Sequence, residues 1–154
     1  IEQIPGESMA SRLVKVDKMI FGDEIVDTKM YSNQHWPLWL QASIWERLGI
    51  DGECNSYISG GGIAHATLGE RLTSKQNEQI ITYAVKCGCE HFALNPFYSK
   101  CEDGHIEFGR LKTCPKCGKP IVDYMTRIIG YFISVSDADE ARREEIMSRP
   151  DTEF

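Results

Sequence analysis

The chain has 154 residues, of which 42% are hydrophobic and 26% charged, with a formal net charge of −6. That balance describes a globular domain with one sizeable core, and the acidic surplus excludes a surface built to neutralise phosphates, so no direct nucleic-acid contact is expected. No run approaches the ~18 consecutive apolar residues of a membrane span and no signal peptide is present, so no membrane association is expected. The six cysteines include a CxxC pair, which reads as metal or redox chemistry in a reducing cytoplasm rather than a disulfide framework. Because the sequence begins at Ile1 rather than Met, its N-terminus is expected to be a cut edge.

In chain order, Pro5 and Gly6 break an entry loop, and Met9, Leu13, Val16 and Ile20 recur at helical spacing over residues 7–21, with Gly22 as the stop. A second helix is expected after Trp36, with Pro37 near its first turn, Leu40, Ile44 and Leu48 on one face, and Gly49 at its end. Trp36, Trp39 and Trp45 beside those leucines read as core. The triplet Gly60-Gly61-Gly62 precedes a strand over residues 63–68; it reads as a sharp turn, or as backbone amides open to a phosphate. His65 in that strand has no acidic or cysteine partner at ligand spacing and reads as a hydrogen-bonded core histidine. A third helix is expected from an N-cap at Ser74 through Ile80, Ile81, Ala84 and Val85, followed by a short strand over residues 91–95. Alternating helices and strands place the chain in the α/β class. From Asp137 to Phe154 there are seven acids and three bases, and residues 138–147 read as a solvated helix whose charges serve solubility.

Cys114-Pro115-Lys116-Cys117-Gly118 is half of a zinc knuckle, a tight turn carrying two thiolates with a glycine to relieve the backbone. Structural zinc takes a second pair from a separate loop, and Cys101 and His105 lie upstream at tolerated spacing. A Cys3His site of Cys101, His105, Cys114 and Cys117 is therefore expected, with the residues between His105 and Cys114 forming the hairpin of a zinc ribbon. Cys87 and Cys89 are the rivals for the missing thiolate; their spacing is tight for a knuckle, and they otherwise read as small, partly buried hydrophobes.

Ten residues beyond Cys117 comes Arg127-Ile128-Ile129-Gly130-Tyr131, which places its glycine thirteen residues beyond that cysteine. An isolated glycine of this kind reads as a strand-edge or turn residue; in the company of the knuckle, the segment resembles the R-x-x-G-Y radical loop of glycyl radical enzymes. A Cα radical is delocalised between the amide nitrogen and the carbonyl only when the centre is planar, and a side chain crowds that plane. The order of IEQIPGES, YSNQHWPLW, SGGGIAHATL, EHFALN, CPKCG and RIIGY along the chain is similar to that in the C-terminal portion of the anaerobic, class III ribonucleotide reductases. That family normally has two CxxC pairs, the first in a C-x-x-C-G-H-I stretch. Here Cys101-Glu102-Asp103-Gly104-His105-Ile106 is one residue shorter and lacks the second cysteine, which is why His105 is the substitute ligand.

The resemblance implies an α/β fold that is the C-terminal part of a glycyl-radical-type barrel over residues 1–98. A zinc ribbon over 99–122, a glycyl radical loop over 123–136 and a charged tail over 137–154 would follow. It also implies an activase using S-adenosylmethionine and an iron–sulfur cluster, which abstracts hydrogen from Gly130. An upstream barrel, in the same protein or a split subunit, would supply the thiyl cysteine and the ribonucleotide site, and the complete enzyme would be a cytoplasmic homodimer. Cys54 is not that thiyl cysteine, which the family places far earlier. Three other readings stand beside this one: a glycyl radical enzyme of different substrate, a non-catalytic zinc-ribbon interaction module, and a subunit that restores a damaged radical loop.

Overall fold

The computed structural model describes residues 7–128, 131–152 and 154. Its elements are α1 (Glu7–Phe21), α2 (Ile44–Asn55), β1 (Ala64–Leu68), α3 (Ser74–Cys87), β2 (Phe92–Pro96), β3 (Tyr98–Cys101), β4 (Ile106–Phe108), β5 (Ile121–Arg127), β6 (Phe132–Ser134), a 3-10 turn over Val135–Asp137, and α4 (Glu140–Ser148). The strands form a parallel pair, β1–β2, and a four-stranded antiparallel sheet in the order β4-β3-β5-β6. The α/β class holds; the described residues contain two parallel strands and no closed barrel.

The helix over 7–21 is found, and its buried face is a surprise. Ala10 and Val14 are the buried positions, whereas Met9, Leu13, Val16 and Ile20 are between 43% and 65% exposed. The apolar periodicity therefore marks a face that none of the described residues covers. The second helix begins later than expected, at Ile44. Ser43 caps it, accepting from the Glu46 amide at 3.2 Å while the Glu46 carboxylate accepts from the Ser43 amide at 2.8 Å. This reciprocal box outweighs the Pro37 start signal, and residues 36–40 instead fold over α2, where their carbonyls accept from the buried Arg47 guanidinium. Gly49 does not end α2. The glycine that matters is Gly52, where a Cβ would stand 2.0 Å from the Cys87 carbonyl oxygen, so only glycine lets the end of α3 approach this closely. Gly52→Ala is expected to destabilise the fold by about 3 kcal/mol through overpacking, read by urea unfolding.

For α3 the cap is Thr73, one residue earlier than Ser74, and it forms the same box with Gln76. Ile80 and Ala84 join Ile44, Leu48, Ala64, Ala66 and Cys89 in the main core. Cys87 packs against that core and Cys89 lies within it, so neither enters the Cys/His cluster described below. Trp45 stands edge-on to Tyr83 and Phe154, with ring centroids 5.2 and 5.1 Å away.

Asp51, on α2, is 3% exposed. Burial pushes its carboxyl up to about 6, against the pull of His35 and Arg47. Because the folded pKa lies above the unfolded value, the folded state binds the proton more tightly. The stabilisation from that proton is full below about pH 4, is lost as pH rises to about 6, and amounts to roughly 3 kcal/mol. Comparing urea unfolding of wild type and Asp51→Asn across pH 4–7 should show a slope in the difference over that window, and a constant difference would exclude it.

Candidate metal centre and radical strand

The two knuckles are built by local hydrogen bonding. The amide of Gly104 donates to the Cys101 carbonyl at 2.9 Å, and the amide of Gly118 donates to the Cys114 carbonyl at 2.8 Å. Both glycines have left-handed backbones, with φ of +81° and +72°, which a β-carbon would strain. Lys119 and Lys116 reach across to Asp103 and Glu107 at 2.5 and 2.6 Å and tie one knuckle to the other.

These turns bring Cys101, His105, Cys114 and Cys117 together, with their ligand atoms all within 4.8 Å of one another. Cys101 Sγ lies 3.7 Å from Cys117 Sγ, and Cys114 Sγ lies 3.7 Å from His105 Nδ1. A tetrahedron with zinc–sulfur bonds of about 2.3 Å has edges of about 3.7 Å, so the donor set fits a zinc ion in both size and chemistry. Burial opposes ionisation of Cys114, but hydrogen bonds from the Cys117 and Lys116 amides and from the neighbouring thiols outweigh it and lower its pKa to about 7. The Lys119 amide favours the Cys117 thiolate, yet burial and the sulfurs of Cys114 and Cys101 push that group up to about 11. A bound dication would favour the thiolate form of the cysteines that hold it.

The sequence reading located the four residues but not the hairpin that carries them. The hairpin is β3–β4, closed by the turn between Cys101 and Ile106; residues 109–120 then cross back so that β5 pairs with the other edge of β3. β5 therefore starts beside the cluster, with Ile121 opposite Cys101; the register shifts at position 122, Lys100 pairing with Asp123, and the strand continues to Arg127. Arg127 is in register with Phe132, so residues 128–131 join β5 to β6. Gly130 belongs to that connection and lies outside the described residues.

His65 is buried, as expected, and its Nδ1 is hydrogen-bonded to the Asn95 side-chain amide, 3.0 Å from the nitrogen and 3.3 Å from the oxygen; burial lowers its pKa to about 4, so the ring is uncharged at neutral pH. At the glycine triplet, a Cβ on Gly61 would lie 3.7 Å from a Glu90 carboxylate oxygen, and an acid at that place disfavours a phosphate. The turn reading of the triplet is the one the structure fits.

The expectation of a solvated C-terminal helix is overturned. Arg142, Glu145, Ile146 and Arg149 face inward and are at most 7% exposed. Glu145 accepts from Arg149 Nε and Nη2, both at 2.8 Å, and from Arg142 Nη1 at 2.9 Å. Burial alone would raise the Glu145 carboxyl, but Arg149 and Arg142 hold it below its ordinary value. The signal that could have found this group is the spacing of 142, 145 and 149, which places two bases and one acid on a single helix face.

Solved structures share this fold and give its class, the ribonucleotide reductases of the anaerobic type. One anaerobic ribonucleotide reductase superposes with a TM-score of 0.85 at 36% identity, covering 100% of this chain and 25% of its own. The Thermotoga maritima anaerobic ribonucleotide reductase with glycerol in its active site gives 0.76 at 36% identity, over 94% of this chain and 23% of its own. The same enzyme with dATP bound in its specificity site gives 0.73 at 37%, over 88% and 22%. The chain belongs to the anaerobic ribonucleoside-triphosphate reductase family, whose model matches residues 1–151. It spans about a quarter of the length of the structures it matches. A search of curated proteins finds no match. The match from the first residue onward favours neither an interaction module nor a loop-repair subunit. No helix among the described residues is long and apolar enough to cross a membrane.

Proposed function

We propose that this chain is the glycyl-radical-bearing C-terminal part of an anaerobic ribonucleotide reductase. With an upstream barrel it converts ribonucleotides to deoxyribonucleotides in the cytoplasm, as a homodimer when complete. Residues 1–98 would complete the barrel, 99–122 form the zinc ribbon, 123–136 carry the radical loop and 137–154 form the tail. The observation that carries this reading is that one strand links the two pieces of chemistry. β5 begins opposite Cys101 and ends at Arg127, three residues before Gly130, an arm of about 20 Å.

An activase using S-adenosylmethionine and an iron–sulfur cluster abstracts hydrogen from Gly130. The spin then passes to a cysteine thiol of the upstream barrel, and the thiyl takes the 3′-hydrogen of the ribonucleotide. The 2′-hydroxyl leaves as water, and a reductant, formate or a dithiol protein, supplies the electrons. Hydrogen exchange between Gly130 and a thiol requires near contact, so the loop must reach deep into the barrel and be aimed there. Zinc held by Cys101, His105, Cys114 and Cys117 would fix the turns at the base of β5, and the work of this chain's residues is to hold that arm still. The test is electron paramagnetic resonance on the full reductase, prepared without oxygen with its activase, S-adenosylmethionine and reductant. An organic doublet that accompanies ribonucleotide reduction is expected; a silent spectrum with a competent activase and bound zinc would refute the reading.

A further inference from the structure

The largest fully buried side chain among the described residues is a guanidinium. Arg149 is 1% exposed, and its Nη1 donates to the backbone carbonyl of Arg127 at 3.2 Å. Arg127 is the last residue of β5, and β3 ends its pairing opposite Met125, two residues short of it. The Arg149 side chain thus supports β5 beyond the point where β3 has run out, while β6 still pairs with Arg127 through Phe132.

The guanidinium is itself held on all sides. Glu145 grips it through both carboxylate oxygens at 2.8 Å, and Arg142 grips Glu145 at 2.9 Å. The backbone carbonyl of Arg149 accepts from Arg110 Nη2 at 2.6 Å, and the Arg110 guanidinium lies 3.9 Å from the centre of the Phe97 ring. Beyond the helix, the Thr152 amide donates to the Thr67 carbonyl of β1 at 2.7 Å. Replacing a buried ion group of this kind with packed apolar residues is often neutral or stabilising, so fold stability alone does not account for a planar fork in this place. A planar fork that is bidentate to one carboxylate and still reaches a third acceptor is what arginine offers and lysine does not.

We propose that Arg149, locked by Glu145, is a positioning residue for the radical loop. It fixes the Arg127 carbonyl and thereby the direction in which the chain leaves β5 towards Gly130. The inference rests on the function proposed above. Misplacing a reacting group by about 1 Å costs on the order of a hundredfold in rate, so even a smaller shift at the end of β5, when a point charge replaces the fork, is expected to cost about tenfold.

The test uses the full reductase with two variants. Arg149→Lys keeps the charge and loses the fork. Ile146→Val trims a fully buried side chain from the same helix and leaves the fork untouched. In Arg149→Lys, zinc content and KM for the ribonucleotide should stay near wild type while kcat falls about tenfold or more. Amide hydrogen exchange at residues 125–128 should quicken in that variant, whereas Ile146→Val should keep kcat and that exchange near wild type. Wild-type kcat and exchange in Arg149→Lys, or equal losses in Ile146→Val, would overturn the positioning role. If Arg149→Lys fails to fold, Glu145→Gln is read in the same way, and failure of both to fold would make the group a folding element instead. Exchange is measured without any radical, so an absent doublet in the wild type would defeat the proposed function while the clamp is still judged on its own.

Discussion

Gly130→Ala in the full reductase is expected to leave zinc and ribonucleotide binding intact and to abolish both the anaerobic doublet and turnover. The reason is local to one atom. A glycyl Cα radical is shared between amide nitrogen and carbonyl across a plane, and its single α-hydrogen splits the resonance into two lines. A methyl group on that carbon crowds the plane and makes the centre harder to reach and less stable once formed. If some spin did reside on the substituted α-carbon, the methyl hydrogens would add further lines, so the spectrum separates two outcomes. Silence supports the reading, and a multiplet with turnover would show that planarity at this position is not required.

Cys114→Ala should be nearly as damaging by a different route. It removes one of four donors spaced for a tetrahedral ion, leaving Cys101, His105 and Cys117 to hold the two knuckles. Structural zinc contributes on the order of 10 kcal/mol of apparent binding energy, and that energy is folding energy for the turns it closes. The expected result is loss of the metal and a fall in radical yield of roughly tenfold or more, since the base of β5 is no longer fixed. Affinity for the ribonucleotide, bound upstream, should hardly change. Full zinc and full radical yield in Cys114→Ala would show that the cluster does not aim the loop. His105→Cys is the complementary variant: it restores a fourth thiolate and should retain zinc, which would support His105 as a donor.

The helices and the four-residue cluster were legible in the sequence because each rests on local chemistry. A CxxC turn, a histidine at ligand spacing and an apolar period all act within a few residues. What was not legible depends on what lies across from a residue. Met9, Leu13, Val16 and Ile20 have the period of a core face and yet are exposed, because periodicity marks the apolar side without saying which polypeptide covers it. The start of α2 was misread because Pro37 is a visible local signal, while the pull of Arg47 on the carbonyls of residues 36–40 is a tertiary one. The C-terminal helix reads as solvated for the same reason: Arg142 and Arg149 share the Glu145 carboxylate only once they are buried together, and composition counts them as surface. The hairpin was misplaced because pairing order is set by the crossing of residues 109–120, which carry no periodic signal.

A single residue separates the parallel pair from the antiparallel sheet. β2 ends at Pro96, β3 begins at Tyr98, and Phe97 between them is 1% exposed. Its carbonyl accepts from the Gly109 amide at 2.7 Å, and the preceding Pro96 carbonyl accepts from Thr126 Oγ1 at 3.1 Å. A hinge needs residues whose dihedral angles can change without breaking such bonds, and this junction offers none. Phe97 is therefore a poor hinge between the two sheets, and relative motion of the strand bearing His65 and the strand bearing Cys101 is expected to pivot elsewhere.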